Sequence, residues 1–315
     1  MKKDGFTQCA AKYIAKLKEE GRYSTAHVYK HALRSFTEYC GGADVSFQQI
    51  NRENLKRYSR YLYERNHRPN TVSTYMRMLR CIYNRGVDAG HTPYIHRLFR
   101  GVYTGVDTRQ KKALPTGELH ALLYKDPKSD KLRKTQAIAN LMFLFCGMSF
   151  ADLARLEKRN LEGNILKYNR VKTGTSMSVE VLDIAHDLLV QLWNSKNYHP
   201  DYPDYLCDIL SGDKKKKEEG AYIEYQSALR KFNNQLKYLA KACCVQSHVS
   251  SYSLRHSWAT TAKNCGAPIE MISESLGHKS IKTTQIYLKG FDLERRTEVN
   301  KQNYFYVRKF YLRGQ

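Results

Sequence analysis

Apolar residues recur at helical spacing through the first stretch of the chain. In residues 6–20, Phe6, Ala10, Tyr13, Ile14 and Leu17 fall on one helical face, and Gly21 ends the run. Ser24 is placed to cap a second helix carrying Val28, Ala32, Leu33 and Phe36, which stops before Gly41-Gly42. Asn51 opens a third with Leu55, Tyr58, Leu62 and Tyr63, and Asn70 a fourth with Val72, Tyr75, Leu79 and Ile82. Four amphipathic helices in so short a span predict a small all-α domain.

The periodicity then lapses. Residues 100–115 (RGVYTGVDTRQKKALP) hold glycines, a proline and several cations without an apolar repeat, as an interdomain linker does. A basic linker of this kind can also follow a DNA backbone. Beyond it, Leu119, Leu122 and Leu123 share a helix, and Ala137–Phe145 reads as a buried one. Residues 164–182 switch to period two around Lys172-Thr-Gly-Thr175, a β-hairpin, and helical spacing returns from 225. The expected organisation is a helical domain over 1–105, a linker over 106–115 and a second domain over 116–315. The fold class is mainly α, the second domain being α+β with a small hairpin or sheet. The charge run Asp213–Glu219 reads as a solvated loop, and the alternating aromatics of Tyr304–Tyr311 as a strand.

Charge sharpens this picture. The 315 residues carry 53 Lys and Arg against 30 Asp and Glu, a formal net charge of +23, with the excess shared between both halves. Such a surplus repels itself unless a polyanion neutralises it, and nucleic acid is the usual polyanion. A hydrophobic fraction of 42% supports real cores and excludes a disordered basic tail. No apolar run is long enough to span a bilayer, and the N-terminus has no signal-peptide pattern, so a cytoplasmic protein with free thiols is expected. No Cys-x-x-Cys pair or acidic metal cluster appears, and no metal or other cofactor is expected. On the predicted helices Lys30, Arg34, Lys56, Arg57, Arg60, Arg77 and Arg80 stand among aromatics such as Tyr29, a set suited to DNA phosphates.

The densest chemistry lies near the C-terminus: Ser253-Leu-Arg255-His256-Ser-Trp-Ala-Thr260, then Leu276-Gly-His278, then Thr283-Thr284, then Tyr287, nine positions after His278. The order and gaps of these segments resemble the tyrosine recombinase (phage integrase) family. The helical domain, linker and hairpin also sit where that family has them, so the resemblance covers most of the chain. It implies a SAM-like core-binding domain followed by a catalytic domain. It also implies Tyr287 as a nucleophile forming a 3′-phosphotyrosine, Arg255 as a ligand of the scissile phosphate, and His278 assisting by hydrogen bonding or proton transfer. Lys172, at the hairpin tip, then protonates the leaving 5′ oxygen. These residue types suit the chemistry. Arginine forks match phosphate oxygens, and fixed donors stabilise the charge that builds during displacement. A phenol near its ordinary pKa needs local activation.

Two positions depart from the family pattern. Ser149, in Gly147-Met-Ser-Phe-Ala-Asp-Leu153, stands where a first arginine is expected, and Tyr252 stands where a histidine is usual. Both departures resemble a Bacteroides-type integrase and invertase branch. Another cation then has to supply the missing charge. Arg170 is the first choice, because positions i and i+2 of a strand share a face and Arg170 would point with Lys172. Arg155 is second and Arg159 weaker. Ser149, Arg155, Tyr252 and His256 are auxiliary candidates.

The resemblance implies a site-specific recombinase acting on double-stranded DNA with inverted-repeat sites. It would be monomeric off DNA and a homo-tetramer in the synapse, its C-terminal segment exchanged between protomers or packed in cis on its own chain. The room for only two domains leans toward DNA inversion or resolution, beside integration or excision of a mobile element. A catalytically silent DNA-binding protein on the same fold and a type IB topoisomerase-like enzyme are the alternatives.

Overall fold

In the computed structural model, residues 4–42, 44–107, 113–193, 203–215, 218–288, 297–298 and 300–305 are described; the side chains of residues 286 and 287 fall outside the described set. The chain folds as two units, Met1–Arg109 with Asp213–Gln226, and Gln110–Gly212 with Ser227–Gln315.

The first unit holds α1 (Phe6–Glu19), α2 (Tyr23–Tyr39), α3 (Arg52–Glu64) and α4 (Pro69–Asp88). Its core is aromatic: Phe36 meets Phe6 edge-on at 6.2 Å between ring centroids and Tyr58 at 4.9 Å. Gly21 ends α1 as expected, at φ +70°, a left-handed turn that lets Arg22 N–H reach the Leu17 carbonyl at 2.8 Å. Asn51 caps α3 by accepting from Asn54 N–H at 2.9 Å. Two expected caps are displaced. Helix α2 begins before Ser24, with Arg22 in the cap position. Helix α4 begins at Pro69, whose fixed φ and missing N–H suit a first helical position. Asn70 is thereby freed to exchange hydrogen bonds with the Asp107 backbone, at 2.7 and 2.9 Å. Tyr29, expected on the outer face, is 5% exposed and packs edge-on against Tyr13.

The charge run read as a solvated loop leads into an ordered contact. Glu219 pairs with Lys18 at 2.7 Å and Tyr222 stacks on Tyr23 at 5.8 Å, so residues 213–226 group with the first unit. Sequence alone placed them inside 116–315.

The second unit opens with α5 (Thr116–Tyr124), α6 (Asp130–Leu144) and the short α7 (Phe150–Leu153). A three-stranded antiparallel sheet follows, of β1 (Leu161–Glu162), β2 (Ile165–Asn169) and β3 (Ser176–Glu180) in that order. Then come α8 (Asp183–Leu192), α9 (Glu219–Ala242), α10 (Ser251–Asn264), α11 (Ile269–Ser275) and α12 (Ile281–Tyr287). The β2–β3 hairpin forms where period two predicts it, with Tyr168 opposite Met177 and Asn169 opposite Ser176. Helix α6 buries Ala137, Ala139, Leu141 and Met142 and is the core helix expected there, though it starts at Asp130. The expected C-terminal strand is corrected in part. Residues 300–305, including Tyr304 and Phe305, are helical, and 306–311 lie outside the described residues. Helix formers Lys301 and Gln302 just upstream favour that conformation for the aromatics. No described helix is long and apolar enough to cross a membrane.

Candidate active site

Helix α10 starts with a reciprocal cap between Ser250 and Ser253, which fixes the start of the helix that carries Arg255. Arg255 is 3% exposed. Its Nη1 donates to the Gly147 carbonyl at 2.8 Å; its Nη2 donates to the Leu276 carbonyl and lies 3.4 Å from His278 Nε2. The Gly147 carbonyl is presented by a left-handed turn, Cys146 at φ +54° and Gly147 at +65°.

His278 follows the end of α11, where Gly277 adopts φ +60° and His278 N–H reaches back to Ser273 O at 3.0 Å. Its Nδ1 lies 2.9 Å from Thr284 Oγ1 on α12. Burial, then the charges of Arg255, Arg170 and Lys172, hold its pKa down to about 4, so the ring is neutral at pH 7. An arginine only donates, which makes Nε2 the lone-pair nitrogen and puts the ring proton on Nδ1, directed at Thr284.

Asp152 organises the other side of the cluster. It is 3% exposed. Its Oδ2 accepts from Ser149 Oγ at 2.7 Å and Arg170 Nε at 3.4 Å, and its Oδ1 accepts from Val171 N–H at 2.8 Å. Ser149, at the position of the missing arginine, thus caps α7 and steadies a carboxylate. Arg170 is buried, and its Nη1 donates to the carbonyls of Leu276 at 2.9 Å and Gly277 at 3.0 Å. The strand-face argument for Arg170 is corrected. Arg170 lies one residue past β2, and Lys172 sits exposed in the turn, so they share no strand face. Burial against Asp152 turns the guanidinium inward. Both cations still act electrostatically on His278.

The cluster therefore brings together Arg255, His278, Arg170 and Ser149, with Lys172 in electrostatic reach. Tyr287 is the last residue of α12, one turn after Thr284. Arg155 donates through Nη1 to the Ala151 carbonyl at 3.2 Å, and Arg159 pairs with Glu157 at 3.1 Å on the surface. Tyr252 is 39% exposed, its ring 5.0 Å from that of buried His256. Sequence reasoning gave no role to Asp152, Thr284, Gly277 or Tyr168. Asp152 had one usable signal, a lone carboxylate in an apolar stretch. Tyr168 shows only in the fold, where burial and the nearby Asp152 push its phenol pKa up.

In the first unit, Lys30, Arg34, Lys56, Arg57, Arg60 and Arg80 are exposed, while Arg77 is half-buried and its Nε donates to the Ser73 carbonyl at 3.4 Å. Arg57 pairs with Glu53, and Arg34 with Glu38 at 3.6 Å.

A helical unit of this kind, with a mixed unit gathering two arginines and a neutral histidine behind a hairpin, defines an integrase-fold protein. Two family models match: the phage integrase SAM-like domain over residues 5–96, and the phage integrase family over residues 112–293. A tyrosine recombinase of Thermosipho africanus is 22% identical across 92% of this chain and 96% of its own length. Tyrosine recombinase XerD of Pseudomonas aeruginosa is 21% identical across 84% and 86%. Among solved structures, a lambda integrase dimer bound to a COC′ core site aligns at TM-score 0.66 with 12% identity, covering 90% of this chain and 98% of that one. Tn1549 transposon integrase in complex with transposon right end DNA aligns at 0.63 with 12% identity, covering 95% and 100%. A lambda integrase tetramer bound to a Holliday junction aligns at 0.63 with 12% identity, covering 86% and 73%. The chain belongs to the phage integrase family of tyrosine recombinases and is a site-specific recombinase.

Proposed function

We propose that this chain cuts and rejoins double-stranded DNA through a 3′-phosphotyrosine at Tyr287. The phenolic oxygen attacks the scissile phosphorus and the bond to the 5′ oxygen breaks. Lys172 gives that oxygen a proton. The phenol's own proton passes to a neighbouring acceptor, for which neutral His278 Nε2 is suited. Arg255 and Arg170 hold the non-bridging oxygens, and Arg170 supplies charge that Ser149 does not. Rejoining reverses these steps, because the phosphotyrosine ester conserves the energy of the phosphodiester bond that was broken. Tyr252, His256 and Arg155 are supporting residues in this reading. Lys30, Arg34, Lys56, Arg57, Arg60, Arg77 and Arg80 contact the DNA backbone.

The observation that carries this reading is the meeting of Arg255 and Arg170 at the Leu276 carbonyl, with His278 Nε2 beside Arg255. The wider assembly is a homo-tetramer on paired inverted-repeat sites, of the kind in the lambda integrase structure, performing inversion or integration and excision in the Bacteroides-type manner. The test uses a nicked suicide duplex drawn from inverted repeats flanking the coding region. Wild type should become covalently linked, and Tyr287→Phe should not. Linkage mapped to another residue, or none at all, overturns the proposal.

A further inference from the structure

Beyond α4 the chain turns back along the first unit, and this return segment forms one wall of a cleft of about 420 Å³. Arg80 and Asn84 of α4 line one side; Tyr94, Arg97, Phe99 and Arg100 line the other. No acidic side chain lines it. Several other arginines of this unit have partners: Arg57 has Glu53, Arg34 has Glu38, and Arg52 Nη2 donates to the His96 carbonyl at 2.6 Å. Among the described residues, the guanidinium groups of Arg80, Arg97 and Arg100 make no ion pair or hydrogen bond. Three like charges around one opening repel one another until an anion enters between them.

The backbone points the same way. Arg97 has φ +54°, the left-handed region that glycine occupies at no steric cost. The turn is held from beneath by buried Leu98, by Arg100 N–H on the Arg97 carbonyl at 2.9 Å and by the Arg52 contact. A cation thus sits where the backbone favours glycine, on a pinned turn. Tyr94, 66% exposed, offers a flat apolar face beside the charges.

We propose that this cleft is a phosphodiester subsite, taking a backbone phosphate of DNA between Arg80, Arg97 and Arg100 with the adjoining deoxyribose against Tyr94. The inference rests on the reading of the chain as acting on DNA. It adds Arg97 and Arg100, which lie outside the helices, to the contact surface. Arginine forks suit the ligand because two N–H groups meet two phosphate oxygens at once.

The experiment measures binding of the full chain to a mixed-sequence duplex as a function of salt. Every phosphate that goes without its cation should lower the slope of log K against log salt by about 0.9. Arg97→Gly with Arg100→Ala, which leaves the cleft's one phosphate with Arg80 alone, should lower it by up to that amount, and Arg97→Gly by a smaller part of it, with similar weakening on unrelated sequences. Because Arg97→Gly relieves the left-handed backbone, its thermal midpoint should match or exceed wild type, which a merely structural arginine would not allow. Unchanged slopes in both variants, with wild type still forming its covalent complex, overturn the cleft and leave the recombinase reading intact. Reduced slopes with no covalent complex in wild type uphold the cleft and overturn the phosphotyrosine reading. A wild type that binds no duplex removes both.

Discussion

Replacing Asp152 with asparagine tests whether the carboxylate, and not mere shape, holds the site. Asparagine keeps an oxygen for Val171 N–H, which Oδ1 now accepts at 2.8 Å. It removes the charge that faces Arg170 Nε at 3.4 Å. At an effective dielectric of 20 the gross attraction across that gap is about 5 kcal/mol, and the desolvation of both groups offsets part of it. Removing one partner of a buried pair leaves the other charge uncompensated, at a cost of about 3–5 kcal/mol. Two carbonyls still accept from Arg170 Nη1, so the lower end, about 3 kcal/mol, is expected. The readout is built into the chain. Both tryptophans, Trp193 and Trp258, belong to the second unit, so tryptophan fluorescence in urea follows that unit alone. With a slope of about 2 kcal/mol per molar, the midpoint should fall by about 1.5 M. In an Arg170→Met background the same substitution should cost under about 1 kcal/mol, since no buried charge remains to be stranded. A midpoint shift below about 0.3 M in the single variant, or equal costs in both backgrounds, would refute the argument.

Three further outcomes follow from the same geometry. Gly277→Ala drives a methyl against Arg170 Cδ and to 2.7 Å from Met177 Sδ at φ +60°, so the fluorescence-monitored stability should drop by about 3 kcal/mol and covalent-complex formation should fall with it; a change under about 1 kcal/mol counts against the packing. His278 has a folded pKa of about 4 below its unfolded value of 6.5, so between those pH values the unfolded chain binds a proton that the folded chain refuses, and stability falls as pH drops through the window. Discounted for partial exposure the decrease is about 1–2 kcal/mol, and His278→Gln should flatten it; an equally steep profile in that variant contradicts the assignment. Gly86→Ala would push a methyl into the Phe47 ring and should destabilise the first unit by about 2 kcal/mol, seen as an earlier drop in helical circular dichroism while the tryptophan transition stays in place.

Much of this architecture was legible because it follows from local periodicity. The α1 stop at Gly21, the Asn51 cap and the β2–β3 hairpin each rest on residues within a few positions of one another. The segments carrying Arg255, His278 and Tyr287 were legible through their spacing. What stayed hidden depends on chain-distant contacts. Asp152 meets Arg170 across 18 positions, and Arg170 meets Leu276 across 106. No spacing rule brings those together. The strand-face argument for Arg170 failed for a related reason. It assumed that β2 continues to 172, whereas the turn begins at 170 and the side chain follows a buried carboxylate. Glu219 likewise read as one more charge in a solvated run until the fold brought it to Lys18, 201 positions away.

The absence of an arginine at 149 is then intelligible as a redistribution of charge. An arginine there would bring its own cation and leave Asp152 less to compensate. With serine, Asp152 receives a neutral hydroxyl and can pair with Arg170, which lets a second guanidinium be buried beside Arg255. Counting formal charges, Arg255, Arg170 and Lys172 stand against Asp152, and His278 is neutral, so the cluster carries two net positive charges. On the proposed reading a phosphodiester enters with one negative charge and approaches two as the phenolic oxygen adds. As the phenolic proton reaches His278 the cluster gains a positive charge while the phosphoryl group gains a negative one, so the attraction is greater in the later state than in the earlier one, which is the condition for accelerating the step rather than only holding the substrate. A His278 already protonated before the attack would have no lone pair at Nε2 to receive that proton. Its depressed pKa, set by burial first and then by the two arginines, is therefore part of the same balance.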